Sequence, residues 1–287
     1  MDFWKLSPYV RRVRPTRSEG LTPAYVDPDH VFTYIQEGEA AFLIEDVRHE
    51  VKKGDMILMP PYARHIINTG GRGFVDQCVI HFDLFHGAGR AGPVAKQEGM
   101  TFRGFMAAKD NPETLFSDLP YVLSPGPAER KLVEEACLEM KDELDRGEPF
   151  HELALKARIL DILKVYLRAG LGQRGRGTRV SPKVWRNLEK AISHIHAHHA
   201  RPLPLKEISR AAGLSLNYFC QLFKDYAGIS AHRYLNAVRV DEAKKLLREG
   251  KLNITQVAER TGFSTIHHFS RVFSETAGVP PSKYQQG

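Results

Sequence analysis

The spacing of apolar residues changes twice along this chain. Between residues 20 and 82 they fall in short extended runs, VFTYIQ, AAFLI, HEV, MILM, HII and FVDQCVIHF, broken by turn signals at Gly38, Glu45-Asp46, Gly54, Pro60-Pro61 and Gly70 to Gly73. Short strands divided by Gly, Asp and Pro predict an antiparallel sandwich or barrel with an interior. From Ala128 to Asp145 and from Glu152 to Ala169 the period becomes helical. Leu132, Val133, Ala136, Cys137, Met140 and Leu144 form one stripe, and Leu155, Ile159, Ile162, Leu163 and Tyr166 form the other. A Gly- and Arg-rich run over 171–181 then predicts a flexible linker.

Beyond residue 182 the helical period returns, and the chain says nearly the same thing twice. Leu205, Ile208, Ala212 and Gly213 match Ile254, Val257, Thr261 and Gly262 at an offset of 49. The offset then becomes 50, pairing Phe219, Phe223, Gly228 and Tyr234 with Phe269, Phe273, Gly278 and Tyr284, so the second copy carries one extra turn residue. Each copy reads as a short helix, a turn at glycine and a second helix, with Ser215 and Ser264 placed to cap the second helix. The motifs run over about 205–225 and 254–275, and a long helix from about Ala231 to Glu249 joins them.

In each second helix the aromatic residues share one face, and the opposite face is polar. That face carries Asn217, Cys220, Gln221 and Lys224 in the first copy and His267, Ser270, Arg271 and Ser274 in the second. A helix that reads the major groove needs this division. Amides at Asn217 and Gln221 suit adenine, and the guanidinium of Arg271 suits guanine. Cys220, His267 and Ser270 complete the base-contact candidates.

Charge supports that reading. From Arg179 onward there are 17 Lys and Arg against 8 Asp and Glu, whereas the whole chain has 41 against 34, so the basic excess sits in the repeat. Confined positive charge is the footprint of phosphate binding. Lys183, Arg186, Lys206, Lys224, Arg233, Lys244 and Lys283 are the backbone-contact candidates.

Two helix-turn-helix units at this spacing resemble the AraC/XylS family of bacterial transcription regulators. The resemblance covers residues 182–287 and is most specific in GFSTIHHFSRVFSETAGVPPSKY, Gly262 to Tyr284. It implies a DNA-binding regulator, commonly an activator, that contacts double-stranded DNA and RNA polymerase. It also implies a small-molecule effector in an N-terminal domain, a sugar or another small polar metabolite, and a homodimer formed by the helices after the sensor, whose stripes could otherwise pack on the barrel. The family usually has Arg after the tyrosine where this chain has Gln285, which puts one phosphate contact in doubt.

The run GDMILMPPYARH resembles the second motif of the cupin barrel through Gly54, Pro60 and His65. Cupin metalloenzymes add two histidines and a glutamate from a first motif, but around VDPDHVFTYIQEG only His30 appears. One imidazole does not hold a divalent metal, so no metal, cofactor or catalytic residue is assigned. The expected fold is an all-β cupin-like barrel with trailing helices, followed by an all-α double helix-turn-helix. Residues 1–170 would form the effector and dimerisation domain, 171–181 the linker and 182–287 the DNA-binding domain. Tyr25, His30, Tyr34, His65 and His81 are the effector-binding candidates. For the basic arm before residue 20, with Arg11, Arg12, Arg14 and Arg17, the resemblance implies closure over the effector pocket or contact with the DNA-binding half, and a solvated tail is the simpler alternative.

The remaining features narrow the classes. The three cysteines are odd in number and far apart, which indicates neither a disulfide framework nor a zinc site. No export signal or membrane span is seen, so a cytoplasmic protein is expected. Two alternatives stay open: an effector-independent DNA binder, and a cupin metalloenzyme with a helical appendage.

Overall fold

The computed structural model describes residues 6–45, 47–70, 73–85, 102–107, 116, 119–171, 178–179, 182–227 and 229–286. Phe3, Trp4, Gly228 and most of the 171–181 run lie outside them. The chain divides into two compact units, Met1–Val180 and Ser181–Gly287.

In the first unit nine strands form one sheet. These are β1 Tyr9–Glu19, β2 Tyr25–Val26, β3 His30–Ile44, β4 Val47–Lys52, β5 Met56–Met59, β6 Arg64–Asn68, β7 Phe74–Asp83, β8 Val122–Leu123 and β9 Thr178–Arg179. Three helices, α1 Phe102–Ala107, α2 Pro127–Arg146 and α3 His151–Gly170, accompany them. Strand β3 organises the sheet because its two halves have different neighbours. Residues 30–38 pair with β7 and residues 31–34 with β5, whereas residues 39–44 pair with β4 and residues 41–44 with β6. A register shift between Ile35 and Glu37 marks the change of course. The result is a barrel-like, cupin-type sheet whose hydrogen-bonded path, β1-β7-β3-β4-β9, remains open.

From Tyr9 to Glu19 the basic segment is not a solvated tail. It is β1, an eleven-residue strand paired antiparallel along β7. Val10 and Val13 both enter the core although they lie three residues apart, because a register shift between Val10 and Arg12 inserts a bulge, so no two-residue alternation marked the strand.

The helical stripes also differ in use from the expected dimer contact. Val133, Ala136, Cys137 and Met140 of α2, with Leu155, Ile159, Ile162, Leu163 and Tyr166 of α3, share one core with Phe32, Tyr34, Cys78, Ile80 and Phe82 of the sheet. Burying this many large side chains stabilises by roughly 1.5–3 kcal/mol each, and the sheet face needs that cover. Among the described residues of this region, the large apolar side chains left outside are Leu138, at 57% exposure, and Leu153, at 66%, together with Phe150, Leu160 and Leu171. Cys137 and Cys78 meet in this core, and their hydrogen bond, with burial, pushes the Cys137 thiol well up.

The second unit is all helix: α4 Pro182–His198, α5 Leu205–Ala211, α6 Leu216–Ala227, α7 Ala231–Glu249, α8 Ile254–Arg260, α9 Ile266–Ala277 and α10 Pro281–Gln286. The one-residue difference between the copies appears in the turns, since α6 begins three residues after Gly213 and α9 four after Gly262. The extra residue moves the cap of α9 from the expected Ser264 to Thr265, whose side chain accepts from the His268 amide at 3.1 Å. Helix α8 starts in a reciprocal cap between Asn253 and Gln256.

Both turn glycines have positive φ, +69° at Gly213 and +84° at Gly262, but their surroundings differ. A Cβ at Gly213 would meet nothing within 4 Å, whereas one at Gly262 would lie 2.3 Å from the His199 carbonyl oxygen. Gly213→Ala should therefore lower stability by about 1–2 kcal/mol, the left-handed backbone term alone. Gly262→Ala should cost clearly more, because a backbone carbonyl must move. Urea denaturation of both variants checks this, and equal midpoints would contradict it.

Candidate functional site

The polar faces of α6 and α9 exist because their other faces are buried. Phe219, Leu222 and Phe223 of α6 and Phe269, Val272 and Phe273 of α9 are all in core. Ring contacts continue from Phe219 to Phe223 to Tyr234, and from Phe263 through Phe269 and Phe273 to Tyr284. With the aromatic stripe inward, a 3.6-residue period turns the intervening positions outward. Asn217, Gln221, His267 and Arg271 are exposed, and Cys220 and Ser270 are half-buried beside them. The Gln221 amide nitrogen donates to Asp225 Oδ1 at 2.7 Å, which orients its carbonyl oxygen.

Of the basic candidates, Lys183, Arg186, Lys206, Lys224, Arg233 and Lys283 are exposed. Lys244 is not: its side chain is only 20% exposed and lies 3.6 Å from Asp241. The reading from sequence also passed over Leu216 and Ile266. Both are exposed apolar residues in the first turn of the second helix, and they occupy the same place in the two copies. Their equivalence at the offset of 50 was the available signal.

Connections to α7 hold this unit together. Buried Arg239 on α7 donates to the carbonyl oxygens of His199 at 2.8 Å and Arg201 at 2.9 Å, and its guanidinium stacks over Phe263. Burial lowers its pKa. Glu207 on α5 is held down to about 2 by hydrogen bonds from Arg201 and then His194. Gln285, standing where the family pattern has Arg, donates to the Leu252 carbonyl at 3.0 Å and so ties α10 to the loop before α8.

The barrel encloses a cavity of about 230 Å³, lined by side chains from five strands. Strand alternation decides which candidates reach it. Val31, Thr33, Gln77, Val79 and His81 face the cavity, so the residues between them face the helices. His30, stacked on Phe82, and Tyr34 both belong to that other face. Tyr34 lies beneath α2 with its hydroxyl pushed up to about 12 by burial and then by Glu134. Of the five effector candidates, the cavity gathers Tyr25, His65 and His81, and it leaves out His30 and Tyr34.

Arg14 brings the basic segment to the pocket, one of the uses open to it, while Thr16 and Ser18 of β1, Asp27 and Gln77 were not foreseen as lining it. Buried His65 is lowered chiefly by desolvation, so it is a neutral imidazole at physiological pH. His81 Nδ1 lies 3.1 Å from Asp29 Oδ1. Arg17, also at this wall, is engaged by both oxygens of Asp76 at 2.7 and 2.6 Å.

Two family models match, one in each unit. An AraC-like ligand binding domain matches residues 9–97, and a helix-turn-helix domain matches residues 208–287. The chain belongs to the AraC family. The Msm operon regulatory protein of Streptococcus mutans is 22% identical over 258 residues, covering 90% of this chain and 84% of that protein. The regulatory protein PocR of Salmonella typhimurium is 35% identical over 99 residues, covering 34% of this chain and 33% of its own length. The transcriptional activator RhaS of Klebsiella pneumoniae is 31% identical over 100 residues, 35% of this chain and 36% of RhaS. Against PocR and RhaS, this AraC-family chain thus aligns with only about a third of the relative's length. Among the described residues no helix is long and apolar enough to cross a membrane.

One titration should report on the helical unit. His196 accepts or donates at 2.7 Å with the Tyr234 hydroxyl, and burial lowers it to about 4, helped by His199 and Lys245. Its folded pKa lies below the unfolded value of about 6.5. The fold therefore binds fewer protons there, and stability falls as pH drops from about 6.5 towards 4. His196→Gln, which cannot titrate, should flatten part of this fall. Thermal midpoints of both proteins across that interval check it, and parallel losses would contradict the assignment.

Proposed function

We propose that this chain is a sequence-specific DNA-binding transcription regulator whose promoter occupancy is set by a small molecule held in the barrel. The observation that carries the reading is the duplicated helix pair, α5–α6 and α8–α9, each with an aromatic face inward and an outward face of groups that read bases. In this reading α6 and α9 lie in successive major-groove segments, about 10–10.5 bp apart, placed by α7. Asn217 and Gln221 read adenine and Arg271 reads guanine. Cys220, His267 and Ser270 line the same contact, and Leu216 and Ile266 touch thymine methyl groups. Lys183, Arg186, Lys206, Lys224, Arg233 and Lys283 neutralise phosphates, with Lys244 the least available of the set.

The effector, a sugar or another small polar metabolite, sits among Tyr25, His65, His81 and Gln77. It acts by binding one arrangement of the protein better than another, since only differential affinity moves an equilibrium. Activation follows the example of RhaS, which is named an activator, and contact with RNA polymerase is proposed along with it. The working compartment is the cytoplasm, where a bacterial chromosome lies. A regulator rather than an enzyme is supported by both matching domains.

Gln221→Ala or Arg271→Ala should each cost about 1–3 kcal/mol against the preferred duplex and relax base preference. Lys283→Ala should weaken preferred and scrambled duplexes alike and reduce the salt slope by about one. Fluorescence anisotropy over a salt series measures both effects. If Gln221→Ala and Arg271→Ala leave discrimination unchanged, the assigned reading face is wrong.

The regulator is also proposed to act as a homodimer. Because the stripes of α2 and α3 are spent on the barrel, the contact falls to their exposed apolar side chains, Leu138 and Leu153 among them. Leu153→Asp should leave the thermal midpoint unchanged and turn a dimer into a monomer in sedimentation. A dimer that persists would move the interface elsewhere.

A further inference from the structure

Three metal-ligating side chains from two distant stretches converge at the barrel cavity. Asp27 and Asp29 stand in the short connection between β2 and β3, and His81 stands near the end of β7 opposite Val31. One ligand atom from each lies within 4.8 Å of the other two. The Asp29 and His81 side chains are only 10% and 12% exposed, so water does little to separate their charges. Two carboxylates held this close repel one another, and a cation between them removes that repulsion. A buried acid such as Asp29 is ordinarily paired or bound to a metal.

A second observation comes from other elements of the cavity. His65 of β6 lines it as well, which places a further imidazole on the cavity wall. Gln77, 3% exposed, lines the same cavity. Its amide nitrogen donates to Ser18 at 3.1 Å, while its buried Oε1 has no hydrogen-bond partner. That acceptor calls for a ligand with a donor group.

We propose that the barrel binds one divalent transition-metal ion on Asp27, Asp29 and His81. The ion's remaining positions open to the cavity, where the effector supplies oxygen ligands and a hydroxyl donates to Gln77 Oε1. The donor set of carboxylate oxygens and an imidazole nitrogen suits Zn²⁺ or Mn²⁺. Ca²⁺ asks for six to eight oxygens, which these residues do not provide. Of the cations nearby, Arg17 is already engaged by Asp76, and Arg14 is exposed and screened by solvent. The proposal rests on reading the barrel as a receptor, and it gives that receptor's ligand a chemistry: a small oxygen-bearing chelator.

The test uses the full chain, stripped with a chelator and then titrated separately with Zn²⁺, Mn²⁺ and Ca²⁺ by calorimetry, with elemental analysis after dialysis. One equivalent of Zn²⁺ or Mn²⁺ per chain is expected, without Ca²⁺ uptake. Asp27→Asn and His81→Gln should each weaken it by about 10-fold or more. Asp27 is half-buried and its substitution nearly isosteric, so this variant keeps the test intact even where His81→Gln disturbs the fold. Absence of stoichiometric uptake overturns the proposal. So does uptake unchanged in Asp27→Asn, which would put the ion elsewhere, for example on the histidines of α4. DNA binding of the same samples is measured separately, so that a failure of the regulator reading leaves the ion result standing.

Discussion

Neither recognition helix is long enough to hold itself together. At twelve residues each, α6 and α9 fall at or below the length at which an isolated helix is even marginal in water. Their helicity is supplied by tertiary burial of one aromatic face. That single constraint sets the rest of the DNA-binding unit. The stripe that must be buried fixes the rotation of the helix, and the rotation decides which side chains remain for solvent and base edges. Helix α7 serves both copies: Tyr234 near its start joins the Phe219–Phe223 stack, while Val240, Ala243 and Leu247 near its end pack with Phe269 and Phe273.

This dependence explains why the second unit was legible in the sequence. A helix buried on one face and wet on the other must alternate apolar and polar residues with a 3.6-residue period, and duplication printed that pattern twice. The exposure of Asn217, Gln221, His267 and Arg271 followed directly from it. What remained hidden was local. The cap at Thr265 depends on one inserted residue, and the burial of Lys244 depends on a neighbour, Asp241, within the same helix. The role of Arg239 was likewise invisible, because its partners are backbone carbonyls 38 and 40 residues away.

The barrel was less legible, and the reason is strand burial on both faces. In His30 to Ile35 every residue is buried, because one face meets α2 and α3 and the other meets the cavity and the inner core. Polarity then carries no two-residue alternation, so His30 and Tyr34 looked as eligible as His65 and His81. Their even spacing from one another says that they share a face, but not which one. Pairing settles it: His30 opposes Phe82, and Val31 opposes His81. The same pairing brought β1 to the cavity wall, where Arg14, Thr16 and Ser18 had been hidden inside what composition alone marks as a charged arm.

The cavity's makeup limits what can act as its signal. Apolar contacts from Val31, Phe42, Ile67 and Val79 are interrupted by Asp27, His65, Gln77 and His81, so a purely apolar ligand would strand several buried polar groups. Each stranded group costs about 1–3 kcal/mol. A ligand that satisfies them gains the corresponding discrimination over analogues lacking the same oxygens, which is the asymmetry that lets a small site be selective. Because β1 forms one wall of the cavity and also packs on α2 and α3, a ligand that draws its residues inward bears on the sheet face those helices cover. The physical route from ligand to helices runs through β1, β3 and β7, each of which alternates cavity-facing residues such as Arg14, Val31 and Val79 with core-facing ones such as Val13, Phe32 and Ile80.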